Sequence, residues 1–203
     1  MIAIIDYGLG NLHSVQKALN FLGIPNIITY KKNIIQNSKG IILPGVGSFE
    51  QGMKNLKERD LTEILTNEII IKKKKFLGIC LGMQLIFEQG NEPNPSKGLG
   101  WLKGDVIKIE SNSLQLPHLG WNNIKFSIDS PYNDSLESNF YFIHSYHVIP
   151  SNISDVHSYV YYGKDIIASI RKDNIFATQF HPEKSQKAGL DLLLKYFKKN
   201  AKS

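Results

Sequence analysis

Residues 2–6 form an unbroken apolar run closed by Asp6-Tyr7-Gly8, which predicts a short strand buried on both faces. Leu12, Val15, Ala18, Leu19 and Leu22 then recur at helical spacing, with Asn11 placed to cap the helix and Gly23 and Pro25 to stop it. Residues 26–30 and 40–43 read as two more strands, and helical patterns follow over roughly 48–57 and 60–71. Phe76-Leu77-Gly78-Ile79 is a further apolar strand, with a helix expected just past Cys80. Strands alternating with helices predict a parallel sheet flanked by helices. From about 101 to 180 the pattern changes to runs rich in Ile, Val, Tyr and Phe, broken by Asn, Ser, Asp, Pro and Gly, which predict shorter strands in hairpins. A last amphipathic helix is expected over roughly 186–199. The expected fold class is therefore α/β, a mostly parallel central sheet with an appended antiparallel β portion, as one domain over residues 1–203 with no linker.

Composition narrows the function classes. The chain has 203 residues, 42% hydrophobic and 21% charged, with no internal repeat, enough for a sizeable core. A single cysteine forbids an internal disulfide and suits a reducing compartment. The first residues carry no basic leader, and no apolar run nears the ~20 residues of a spanning helix, so a soluble, cytoplasmic protein without membrane contact is expected. The formal net charge of +6 is almost all lysine, with Arg59 and Arg171 the only arginines. Because arginine is favoured for bidentate phosphate and base contacts, nucleic acid is not expected as a partner. The densest run, Lys72 to Lys75, reads as a solvated loop, the other reading being a patch for an acidic partner or phosphorylated substrate.

Three motifs carry chemistry. Gly78-Ile79-Cys80-Leu81-Gly82 is a strand–turn–helix elbow with cysteine at its apex. Glycines allow the sharp turn, and the helix N-terminus favours thiolate over thiol. The alternative is a buried structural cysteine. Gln179-Phe180-His181-Pro182-Glu183 places a carboxylate two residues after a histidine. Proline biases His181 toward extended backbone, where residues two apart point the same way. Glu183 would orient one ring nitrogen and leave the other for the thiol. Leu43-Pro44-Gly45-Val46-Gly47 closes the third strand with glycines that let backbone N–H groups approach a small ligand or oxyanion, and it lacks a dinucleotide fingerprint.

Together these motifs resemble the class I, triad-type glutamine amidotransferases, a flavodoxin-like family. Among them the chain is similar to the glutaminase subunits of imidazole glycerol phosphate synthase. The likeness extends through Asp6 to Leu12, Pro117-His118-Leu119-Gly120-Trp121-Asn122 and Phe142-Ile143-His144-Ser145-Tyr146. It implies that Cys80 attacks the glutamine carboxamide, His181 shuttles the proton and Glu183 orients His181. It implies that Gln84, Gly47, Ser145 and Tyr146 bind glutamine, and that Leu81 with Gly45 and Val46 forms the oxyanion hole. It further implies a heterodimer with a (β/α)₈-barrel synthase subunit, faced by Asn11, Pro117, His118, Trp121, Tyr141 and Lys184, and no cofactor or metal. Trp121 is the residue of this set whose type best fits plain core packing. The chain departs from the family at Gly90-Asn91-Glu92-Pro93, at Gln115 and at His147. A paralogous subunit supplying ammonia to a surface-glycan sugar, a silent binding module and a self-contained hydrolase are the other readings. The intact Cys80, His181 and Glu183 argue against the silent module.

Overall fold

The computed structural model describes residues 1–110, 114–127 and 138–198. Its first half runs β1 (Ile2–Ile5), α1 (Leu12–Phe21), β2 (Asn26–Thr29), α2 (Lys32–Asn37), β3 (Gly40–Gly45), α3 (Phe49–Glu58), α4 (Thr62–Thr66, prolonged by a π-helical turn, Asn67–Ile71), β4 (Lys75–Cys80) and α5 (Leu81–Gln84). The second half runs β5 (Phe87–Asn91), β6 (Pro95–Lys97), β7 (Leu102–Lys108), β8 (His118–Phe126), β9 (Asn139–His144), β10 (Tyr146–Pro150), β11 (Val156–Tyr162), β12 (Lys164–Lys172), β13 (Ile175–Thr178) and α6 (Gln186–Lys198). The last helix matches its sequence pattern, and residue 199 lies outside the described residues.

The large sheet has the order β2-β1-β3-β4-β13-β12-β11-β8-β9. Strands β2, β1, β3, β4 and β13 are parallel, and β12, β11, β8 and β9 continue from them antiparallel. The antiparallel portion is thus the other half of the same sheet. A smaller sheet, β10-β7-β5-β6, packs beside it. The helix expected just past Cys80 is the single turn of α5, after which strand β5 pairs parallel with β7. Helix α2 escaped the sequence pattern because it buries only Ile35, so no apolar periodicity marks it.

The central strands are apolar on both faces because a layer covers each. Ala3, Ile5, Ile41, Leu43 and Phe76 enter one core, while Ile2, Ile4, Ile42, Leu77 and Ile79 enter the other. Asn11 Oδ1 caps α1 by accepting from Ser14 N at 3.4 Å, as its position foretold. Ser48 caps α3 in the same way through Gln51 N.

The lysine run before β4 is not a free solvated loop. Lys72 and Lys74 close on the buried Glu68 carboxylate at 2.7 and 2.6 Å. Burial alone would raise the Glu68 pKa, but hydrogen bonds and charge from Lys72 and Lys74 hold it below the usual carboxylate range. Lys73 pairs with Asp173, and Lys75 donates to the Tyr196 carbonyl. The run stitches the π-helical turn and α6 to the amino end of the sheet.

Parallel pairing decides where the chemistry falls. Gly45 stands opposite Cys80 across β3–β4, and Thr178 stands opposite Ile79 across β13–β4. The next residues of both neighbours therefore emerge beside Cys80, at the carboxyl end of the sheet where ligands bind in open α/β folds.

Candidate active site

Cys80 ends β4 with φ 52° and ψ −108°, a region that costs a non-glycine residue about 1–3 kcal/mol. The flanking glycines show what enforces the turn. A Cβ on Gly82 would lie 1.8 Å from the Leu43 carbonyl oxygen, and one on Gly78 would lie 2.8 Å from the Gly82 carbonyl oxygen. The elbow is therefore locked by backbone packed against backbone, and the strain at Cys80 is held by β3. With only four residues, α5 has little macrodipole to offer. What it supplies instead is free N–H groups in its first turn, beginning at Leu81.

The Cys80 sulfur sits 3.8 Å from the Ile143 carbonyl oxygen and accepts from Gln179 Nε2 at 3.6 Å. Across from it, His181 Nδ1 donates to Glu183 Oε1 at 2.8 Å, with both side chains only 1% exposed. The geometry differs in origin from the sequence expectation. His181 is extended (φ −100°, ψ 95°), but Pro182–Lys184 is a 3₁₀ turn with proline at its start, and this turn swings Glu183 back onto the ring. His181 Nε2 is sealed from solvent without a fixed hydrogen bond. Catalytic hydrogen bonds are often loose before substrate is present. Burial opposes charge on His181, yet its electrostatic interaction with Cys80, then with Glu183, outweighs it and raises its pKa to about 10. A buried cysteine and a histidine biased toward imidazolium, with a carboxylate on the ring's other nitrogen, form an arrangement suited to a nucleophile, a base and its orienter.

Beside the pair lies a cleft of about 340 Å³, lined by Val46, Gly47, Ser48, Cys80, Leu81, Gln84, Glu92, Pro117 and residues 143–146. Every residue expected to bind substrate, Gly47, Gln84, Ser145 and Tyr146, lies on its wall. Gly45 is packed behind it, where a Cβ would come 2.3 Å from the Tyr7 hydroxyl and 2.8 Å from Leu81 Cβ. Gly47 takes φ +112° with only Leu9 close, so the Gly45–Gly47 loop is pinned at one end and open at the other.

The residues expected to face a partner separate into two groups. Trp121 is 45% exposed, which sets aside core packing, and its ring meets Tyr141 edge-on at 6.1 Å. Lys184 Nζ lies over the Tyr141 ring at 5.6 Å, and Pro117 is exposed on the cleft rim. Asn11 is half-buried and spent on its cap. His118 is not at the surface. Strand alternation turns it inward with Asn122, stacked between Phe142 and Tyr162, while Leu119 and Trp121 point out. Leu119 and Ile143, paired across β8–β9, extend the exposed apolar face and escaped the sequence reading.

Sequence reasoning also passed over Glu92, His144 and Gln179. Glu92 was visible only as part of a departure from family pattern, yet it is the carboxylate on the cleft wall, with its pKa raised by burial against a backbone hydrogen bond at Phe49. Nothing local marks Gln179 as a neighbour of Cys80, because only the β13–β4 register brings them together.

Comparison with known proteins places these features in context. The model of the class I glutamine amidotransferase family matches residues 3–200. Imidazole glycerol phosphate synthase subunit HisH 1 of Campylobacter jejuni subsp. jejuni serotype O:23/36 (strain 81-176) is 46% identical over 196 residues, covering 95% of this chain and 97% of the relative. The HisH subunit of Aquifex aeolicus (strain VF5) is 45% identical over 202 residues, covering 98% and 97%. Among solved structures, one described as a glutamine amidotransferase aligns with TM-score 0.75 at 18% identity, covering 96% of this chain and 97% of that one.

Proposed function

The chain belongs to the class I glutamine amidotransferase family, and from that premise we propose that it is the glutaminase subunit of imidazole glycerol phosphate synthase. The observation that carries the proposal is the elbow cysteine standing with the buried His181–Glu183 pair beside one cleft. In this reading Cys80 Sγ adds to the carboxamide carbon of glutamine with its proton already held on His181 Nε2. Leu81 N–H and an N–H from Gly45–Val46 hold the oxyanion. His181 returns the proton to the departing nitrogen, releasing ammonia and leaving a glutamyl thioester. Water, deprotonated by His181, then frees glutamate, so one glutamine and one water yield one glutamate and one ammonia.

The ammonia passes to a (β/α)₈-barrel subunit, which builds imidazole glycerol phosphate and an aminoimidazole carboxamide ribonucleotide in histidine biosynthesis in the cytoplasm. The exposed Leu119, Trp121 and Ile143, with the half-buried Tyr141, form the surface we assign to that partner, and Lys184 lies beside it. Glycine at 45 permits the Gly45–Val46 peptide to rotate, so the hole is completed when the partner is docked and occupied. The test measures glutamate release with and without the barrel subunit, and growth of a histidine auxotroph lacking its own glutaminase subunit. Strong stimulation by the partner and restored growth are expected. Full turnover by the isolated chain would remove the gating step, and failure to complement would remove the pathway assignment.

Glu92 gives a sharper check. A carboxylate on the cleft wall suits the α-ammonium of an amino-acid substrate. Glu92→Gln should raise the glutamine KM about tenfold or more with a smaller change in kcat, the pattern of lost ground-state binding. An unchanged KM would remove Glu92 from the substrate site.

A further inference from the structure

Behind the cleft, an unbroken hydrogen-bond chain joins the β8–β9 hairpin to the nucleophile, and its chemistry leaves one assignment for every proton. His144 Nδ1 lies 2.9 Å from the Tyr146 carbonyl oxygen. A carbonyl only accepts, so Nδ1 carries the hydrogen. Burial holds His144 neutral, its pKa lowered to about 3, so Nε2 accepts. The group facing Nε2, at 3.1 Å, is His118 Nδ1, which must therefore donate. Burial likewise lowers the His118 pKa to about 4 and leaves its Nε2 an acceptor, 3.3 Å from the Asn122 amide nitrogen. Asn122 spends its second hydrogen on the Tyr161 carbonyl at 3.0 Å.

The chain continues on the other side of Tyr146. Its carbonyl also accepts from Gln84 Nε2 at 3.1 Å, and Gln84 gives its remaining hydrogen to Gln179 Oε1 at 3.1 Å. Gln179 Nε2 then donates to Cys80 Sγ. With both Gln84 hydrogens committed, its Oε1 is the atom left to meet a ligand in the cleft.

We propose that His144, backed by His118, is a positioning residue for glutamine: it fixes the Tyr146 carbonyl that orients the Gln84 amide, and so links the outer hairpin to substrate binding. This rests on the reading of the cleft as a glutamine site. The hairpin is two-faced by strand alternation, with Leu119, Trp121 and Ile143 outside and His118, Asn122 and His144 inside, so pressure on the outer face reaches the relay directly. The same strand supplies the Ile143 carbonyl near Cys80 and the Tyr141 carbonyl that accepts from His181 N at 2.9 Å.

Nitrogen-15 histidine spectra of the full-length unmodified chain at neutral pH should show His118 and His144 both neutral and protonated at Nδ1. Finding Nε2–H or a charged ring at either overturns the relay, whatever the enzyme does with glutamine. Kinetics in complex with the barrel subunit supply the functional arm. His144→Leu should raise the glutamine KM about tenfold, the worth of one good hydrogen bond, with a smaller effect on kcat. His144→Asn, whose amide can replace the Nδ1 donor, should recover most of that loss. If KM is unchanged in the leucine variant, or if asparagine fares no better than leucine, the positioning role is wrong. Absence of glutamine turnover by the unmodified complex would instead sink the glutaminase reading and leave the tautomer result standing.

Discussion

Replacing Cys80 by alanine is expected to lower glutamine hydrolysis by about 10⁴- to 10⁶-fold, the range seen when a nucleophile is removed from a working triad. The fold should survive. Alanine occupies less space than cysteine, and the backbone strain at φ 52° is imposed by the Gly78 and Gly82 contacts, which the substitution leaves alone. Synthase activity of the complex driven by added ammonium salts should persist, because ammonia production and ammonia use lie on different subunits in the proposed assembly. Loss of both activities would show that the division of labour is misassigned. The same variant reports on His181. With the interaction with Cys80 removed, burial is opposed only by Glu183, so the imidazole should lose its proton at lower pH than in the unmodified protein. Histidine spectra recorded against pH would measure that shift. An unmoved titration would mean that Cys80 and His181 are not electrostatically coupled.

Gly82→Ala should be among the most damaging one-carbon changes near the site. The added methyl would stand 1.8 Å from the Leu43 carbonyl oxygen, a contact that no side-chain rotation relieves because both partners are backbone. Either the end of β3 or the elbow must move. Overpacking of this kind typically costs 1–3 kcal/mol and can cost more. For a chain of this size each kilocalorie lowers the melting temperature by about 2–4 °C, so a fall of roughly 2–12 °C is expected. Activity should suffer beyond the loss of stability, since the two displaced segments carry the proposed nucleophile and the Gly45–Val46 half of the proposed oxyanion hole. A misplacement of about 1 Å costs on the order of 10²-fold in rate. Thermal melts and turnover measured on the same preparation decide the matter. An unchanged melting temperature would mean that the elbow is not locked as described.

Much of this molecule could be read before folding. Apolar runs and helical spacing located the parallel strands, the cap at Asn11 and the last helix, because each is a local property of a short segment. The elbow and the His-Pro-Glu string were legible for the same reason: glycine and proline constrain their own backbone and their immediate neighbours. Which face of a strand meets water, and which distant segment lies alongside, are decided by sheet register and packing. That is why Trp121 proved exposed and His118 buried on the same strand, with opposite consequences for their roles. It is also why Lys72 and Lys74 turned from loop charges into partners of a buried Glu68, and why Gln179 came to touch a cysteine 99 positions away. The identity of the chemistry was written in the sequence. The surroundings that aim it, Glu92 on the cleft wall and the two histidines behind Tyr146, came into being only when parallel pairing and the turned-in hairpin brought together residues with no local signal of their own.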